Sequence, residues 1–146
     1  MAQEKIEAVM RGYVSALTQK DAEKALSFVG EEADWVTPEG TFKGKKELKR
    51  YLTWMAQATT DLKITDAGIG IMVQGNKAFF EHVLHGTRDG MKWEVLAICA
   101  YEFDGEKIQH IRTVYDRLSV AKQAAKGWCA KRVVASVVGR AEKGLH

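Results

Sequence analysis

Few side chains in this sequence carry chemistry, and His82 carries the most. An imidazole titrates near neutral pH. On a pocket wall it serves as a general acid or base, or holds an anion when protonated. The plainer reading is a structural histidine bonded to Tyr13 or to a backbone amide. Tyr13 offers a phenol that can donate to a ligand carbonyl, or it completes the apolar face of a helix. Cys99 has no expected partner to lower its pKa and reads as a small apolar residue. His82 and His85 look like a metal pair, but on a strand a spacing of three puts them on opposite faces. No metal and no other cofactor is implied. Lys43, Lys45, Lys46, Lys49 and Arg50 form a basic cluster that reads as a solvated helix face rather than a phosphate site.

The elements that position these groups follow from periodicity. Ile6, Val9, Met10, Tyr13, Val14 and Leu17 form the i, i+3, i+4, i+7 stripe of a helix over Gln3–Thr18. Asp21 can cap a second helix running to Val29. A short strand, Asp34–Thr37, is closed by Pro38-Glu39-Gly40. Leu48, Tyr51, Leu52 and Met55 mark a third helix near Lys45–Gln57. The period then switches to two. Strands are predicted over Ile69–Val73, Lys77–Arg88, Lys92–Phe103 and Ile108–Tyr115, parted by Gly75-Asn76, Asp89-Gly90 and Asp104-Gly105. The last three are antiparallel neighbours.

Alternation also sorts residues by face. Trp35 and Thr37 share a face, as do Phe80 and His82. Cys99 lies in phase with Trp93 and Tyr101, and Ile111 with Thr113 and Tyr115. Each set is mainly apolar with one or two polar members, the composition of a pocket lining. Trp35, Thr37, Phe80, Cys99, Ile111, Thr113 and Tyr115 are therefore expected to bind ligand around His82 and Tyr13. No inward strand position supplies a carboxylate. The opposite faces mix Glu81, His85, Glu94 and Arg112 with Phe79, Val83, Leu96 and Ile98, which suits a dimer contact.

The chain has 146 residues and a net charge of +3, unevenly spread. Residues 1–118 hold 16 basic and 18 acidic groups; residues 119–146 hold 6 basic groups against Glu142. A mildly acidic body argues against nucleic acid as a partner. No apolar run follows the polar N-terminus, and none approaches the ~20 residues of a membrane span. Two cysteines without metal-ligand spacing read as reduced thiols of a cytoplasmic protein.

Several segments, in their order and spacing, resemble the SnoaL-like and ketosteroid-isomerase-like branch of the nuclear transport factor 2 superfamily. They are Tyr13-Val14-Ser15-Ala16-Leu17, Asp21, Ala33-Asp34-Trp35-Val36-Thr37-Pro38 and Gly44-Lys45-Lys46-Glu47-Leu48. Later come Tyr101 to Ile108 and Arg112-Thr113-Val114-Tyr115-Asp116. The resemblance implies an α+β cone, commonly dimeric: N-terminal helices against a strongly curved, mainly antiparallel sheet. In ketosteroid isomerases an Asp base works with Tyr and protonated Asp donors. Tyr13 matches that phenol, but the base position falls on Thr37 and the second donor on Cys99. Limonene epoxide hydrolase positions fall on Leu84, His82, Thr113, Trp35 and Thr37, without either carboxylate.

Two readings stand. One is a small-molecule isomerase, dehydratase or cyclase using His82 and Tyr13; the other is a non-catalytic binding or dimerisation module. Residues 1–118 form the cone domain under both, with a homodimer expected. Residues 119–146 form a basic extension, read as one amphipathic helix from Val120 to Lys143, capped by Ser119. A bend is allowed at Gly127. Packing on the same domain or its dimer is favoured over an anionic membrane surface, since its stripe is poor in Leu and Phe.

Overall fold

The computed structural model describes residues 2–145. Helix α1, Ala2–Thr18, buries Ile6, Met10, Tyr13, Ala16 and Leu17, the stripe its sequence dictates. It ends in a Schellman turn. Lys20 adopts φ +58°, its N–H reaches the Leu17 carbonyl, and Asp21 N–H reaches that of Ala16. This reversal sets Asp21 to cap α2, Ala22–Ser27, by accepting Lys24 N–H at 2.9 Å. Strand β1, Val29–Thr37, is longer than its sequence suggests. It turns through Pro38-Glu39 into a four-residue β2, Gly40–Lys43, too short and exposed to show a period. Helix α3, Gly44–Ala58, buries Leu48, Tyr51 and Leu52.

Four long strands follow: β3 Thr60–Gln74, β4 Lys77–Arg88, β5 Met91–Asp104 and β6 Lys107–Tyr115. The sheet order is β2-β1-β6-β5-β4-β3, and only the β1–β6 pairing is parallel. Asp89 and Gly90 both have positive φ, as a type I′ hairpin requires. Only the end of β3 was expected from alternation. The pairing of β3 with β4 shifts between Asp66 and Ile71, where Gly68 and Gly70 have positive φ. That bulge breaks the period. Glu81 fills it by accepting Ile69 N–H at 3.1 Å.

The core lies between α1, α3 and the concave face of the sheet, around Tyr13, Trp35, Tyr51, Phe80, Tyr101 and Ile111. The convex face carries the ion pair Glu102–Arg112 (2.7 Å) and the polar contacts His110–Asp34 (2.8 Å) and His85–Glu94 (3.4 Å).

The tail corrects the expected single helix. It forms α4, Arg117–Ala124, and α5, Gly127–Ala141, separated by extended backbone at Ala125 and Lys126. Asp116 rather than Ser119 is the cap, accepting Ser119 N–H at 3.0 Å. Helix α4 lies on β5, where Gln123 accepts Glu94 N–H and donates to the Glu94 carbonyl. Helix α5 buries only Val138, and leaves Trp128 71% and Val133 64% exposed. Among the described residues no helix is long and apolar enough to cross a membrane.

Candidate functional site

A cavity of about 300 Å³ opens between the concave sheet, α3 and α4. That is the lower end of the size that holds small organic ligands. Its deep wall is Trp35, Phe80, His82, Cys99, Tyr101 and Thr113. Tyr51, Trp54 and Met55 enter from α3, and Val120, Ala121 and Ala124 cover it from α4. Near the rim stand Glu39, Arg88, Trp93, Tyr115 and Arg117.

His82 is 3% exposed and stacks on Phe80, with ring centroids 4.3 Å apart and planes 20° off parallel. Its Nδ1 lies 3.2 Å from the Phe80 carbonyl oxygen. A carbonyl can only accept, so Nδ1 carries the proton and Nε2 is the acceptor of the neutral ring. Desolvation by burial lowers the pKa of His82. The Phe80 carbonyl and the charge of Asp66 oppose that shift without cancelling it. Asp66 is held by Arg11 through two 2.7 Å hydrogen bonds, and the Arg11 guanidinium lies over the Phe80 ring at 5.9 Å. Helix α1 is thus tied to the strand edge behind the histidine.

Cys99 and Thr113 form a second polar group on the deep wall. Trp35 Nε1–H donates to Thr113 Oγ1 at 2.8 Å, and Cys99 Sγ lies 3.1 Å from the same oxygen. Burial raises the Cys99 pKa despite its hydrogen bonds, so the thiol form persists.

Glu39 is the residue that strand phase could not find, because it sits in the turn after β1. Its side chain is 13% exposed. Tyr51 donates to Oε2 at 3.0 Å and Tyr115 donates to Oε1. Burial, then the Glu39 carboxylate, raises the pKa of Tyr51; burial and the Glu39 hydrogen bond raise that of Tyr115. Both remain phenols. Thr37 holds the turn: its hydroxyl donates to the Gly40 carbonyl and accepts Glu39 N–H, each at 3.1 Å.

Of the expected site residues, Trp35, Phe80, His82, Cys99, Thr113 and Tyr115 line the cavity together. Tyr13, Thr37 and Ile111 do not. Tyr13 is 1% exposed and packs between Trp35 and Tyr101 at 6.2 and 6.3 Å. Ile111 is buried where β6 pairs with Trp35 and Tyr101. Among the described residues no group of three or more His, Cys, Asp or Glu could hold a metal ion.

Trp93 lies across Gly86, its register partner on β4. A Cβ at Gly86 would come within 2.6 Å of the indole and 2.4 Å of Thr59. Only glycine admits this contact. The indole Nε1 is covered by protein and has no acceptor. A buried donor left so costs about 1–3 kcal/mol.

A bent sheet wrapped by helices around one ligand-sized cavity defines a nuclear transport factor 2-like cone. The family model of the SnoaL-like domain matches residues 10–111, and the chain belongs to that family. Solved structures share the fold at low identity. One is a hypothetical protein with a ketosteroid isomerase-like fold from Catenulispora acidiphila, in complex with trimethylamine. It is 16% identical with a TM-score of 0.74, over 82% of this chain and 93% of that one. TerC, co-crystallised with polyporic acid, is 14% identical with a TM-score of 0.73, over 82% and 97%. A putative SnoaL-like polyketide cyclase from Shewanella denitrificans is 11% identical with a TM-score of 0.72, over 81% and 95%. No curated protein matches in sequence.

Proposed function

We propose that this chain binds a small, largely apolar, ring-bearing molecule in the cone, and that His82 supplies acid/base chemistry of the isomerase, dehydratase or cyclase kind. One observation carries the reading. His82 is buried on the cavity wall with Nδ1–H committed to the Phe80 carbonyl, which leaves a neutral Nε2 as the available base. A neutral imidazole near physiological pH is the protonation state a general base needs. Aromatic walls from Trp35, Tyr51, Trp54 and Tyr101 favour flat rings. Structural relatives hold trimethylamine and polyporic acid, which supports a small organic ligand. Tyr13 lies behind the wall, so the tyrosines that would meet a ligand are Tyr51, Tyr101 and Tyr115. Two free cysteines suit a cytoplasmic setting.

Native mass spectrometry of the purified protein should reveal a co-purified small molecule, and His82→Ala should lose it while its circular dichroism stays native. Full retention by the variant would remove His82 from the mechanism.

The alternative, a non-catalytic module, draws on the convex face. Leu96 is 52% exposed and Val114 62% exposed, and the cross-strand pairs Val83–Leu96 and Ile98–Val114 make one outward apolar patch. A homodimer through this patch fits either reading. Leu96→Arg should convert a dimer to a monomer in analytical ultracentrifugation. An unchanged sedimentation coefficient would rule out that face.

A further inference from the structure

The charges around the cavity do not balance. Its lining holds one carboxylate, Glu39, and two guanidinium groups, Arg88 and Arg117. Glu39 is engaged by two phenols, and Arg117 Nε lies 3.7 Å from it while Nη1 donates to the Pro38 carbonyl at 3.0 Å. Arg88 has no carboxylate within ion-pair distance among the described residues. It lies near enough to Tyr115 to favour that residue's ionised form.

Register puts Arg88 in line with the site. Phe80, His82, Leu84, Gly86 and Arg88 alternate along the concave face of β4, from the deep wall to the rim. Trp93, opposite Gly86, packs its indole at the same hairpin end. The rim is therefore net positive, and the wall between it and His82 is apolar. Arg88 lies six positions along the strand from His82, at most ~20 Å, which the Arg88 side chain shortens.

We propose that the cavity takes a ring-bearing organic anion whose acidic head sits at the rim against Arg88, and that Arg88 selects for it. The proposal rests on the reading of the cavity as a ligand site. A carboxylate there gains charge-assisted hydrogen bonds from a guanidinium that has no other acidic partner. An amine would meet a net positive rim.

Calorimetric titration of the full chain with 2-naphthoate, 2-naphthylmethanol and 2-naphthylmethylamine tests this, since the three share a ring system and differ in charge. The carboxylate should bind about tenfold more tightly than the alcohol, and the amine most weakly. In Arg88→Gln the carboxylate-to-alcohol ratio should fall to near one, and Arg88→Lys should restore part of it. An alcohol that binds as tightly as the carboxylate, or an amine that binds more tightly, overturns the anion proposal while leaving the cavity as a ligand site. If none of the three binds the folded wild type, the ligand-site reading falls and the proposal falls with it.

Discussion

Phe80→Ala is expected to destabilise the fold by about 3–5 kcal/mol, the range for removing a buried aromatic ring. Phe80 is 1% exposed and is paired with Cys99 on β5 and Ile71 on β3. Its ring supports three things at once. It packs in the core, stacks on His82 at 4.3 Å, and lies beneath the Arg11 guanidinium that grips Asp66. Truncation removes the transfer energy of the ring and leaves a void beside the existing cavity. The strands on both sides are held by backbone ladders, so they cannot collapse into it. Phe80→Leu keeps most of the volume and loses the stacking, so about 1–1.5 kcal/mol is expected. Urea unfolding followed by circular dichroism measures both. A cost below about 1 kcal/mol for Phe80→Ala would mean that the ring does not anchor this wall.

Phase and depth are different kinds of information, and the sequence carried only the first. Alternation in β4, β5 and β6 put Phe80, His82, Cys99, Thr113 and Tyr115 on the concave face, where they line the cavity. Ile111 shares a face with Thr113 but lies in the core. Which inward residues line the cavity depends on where helices cover the sheet, and no local pattern records that. Tyr51 and Met55 read as the apolar face of α3, although they also form a cavity wall with Trp54. Glu39 was hidden for another reason. A glutamate between Pro38 and Gly40 looks like a solvated turn. Its burial depends on Tyr51, 12 residues away, and on Tyr115, 76 residues away. Thr37, expected in the pocket, instead braces that turn. The β3 bulge was obscured because positive-φ glycines interrupt a period without announcing where pairing resumes, whereas the break between α4 and α5 falls beside Gly127, where the sequence allows a bend.

Loss of stability on mild acidification should trace to His82. Its ordinary pKa is near 6.5, and burial lowers it in the folded protein. Below that ordinary value the unfolded chain takes up the proton first, so the unfolded state binds more protons and folding weakens as pH falls. The loss begins near pH 6.5 and is complete once pH drops below the depressed native pKa. Above pH 6.5 both states are neutral at this position, and the term vanishes. Asp66 and Glu102 also have lowered pKa values, held down chiefly by hydrogen bonds from Arg11 and Arg112. Their contributions are lost only as pH falls below their ordinary values of 3.8 and 4.5, so the window from about 4.5 to 6.5 isolates the histidine. His82→Gln has no charge to gain, and its amide can still donate to the Phe80 carbonyl. Urea midpoints at pH 5 and pH 7.5 should therefore differ more for the wild type than for the variant. If the two proteins lose stability in parallel, His82 is not desolvated. On the proposed reading the same neutral, desolvated imidazole is the base, so ligand binding or turnover that depends on Nε2 should fall over this window in the wild type alone. A pH profile unchanged by His82→Gln would separate the histidine from both stability and chemistry.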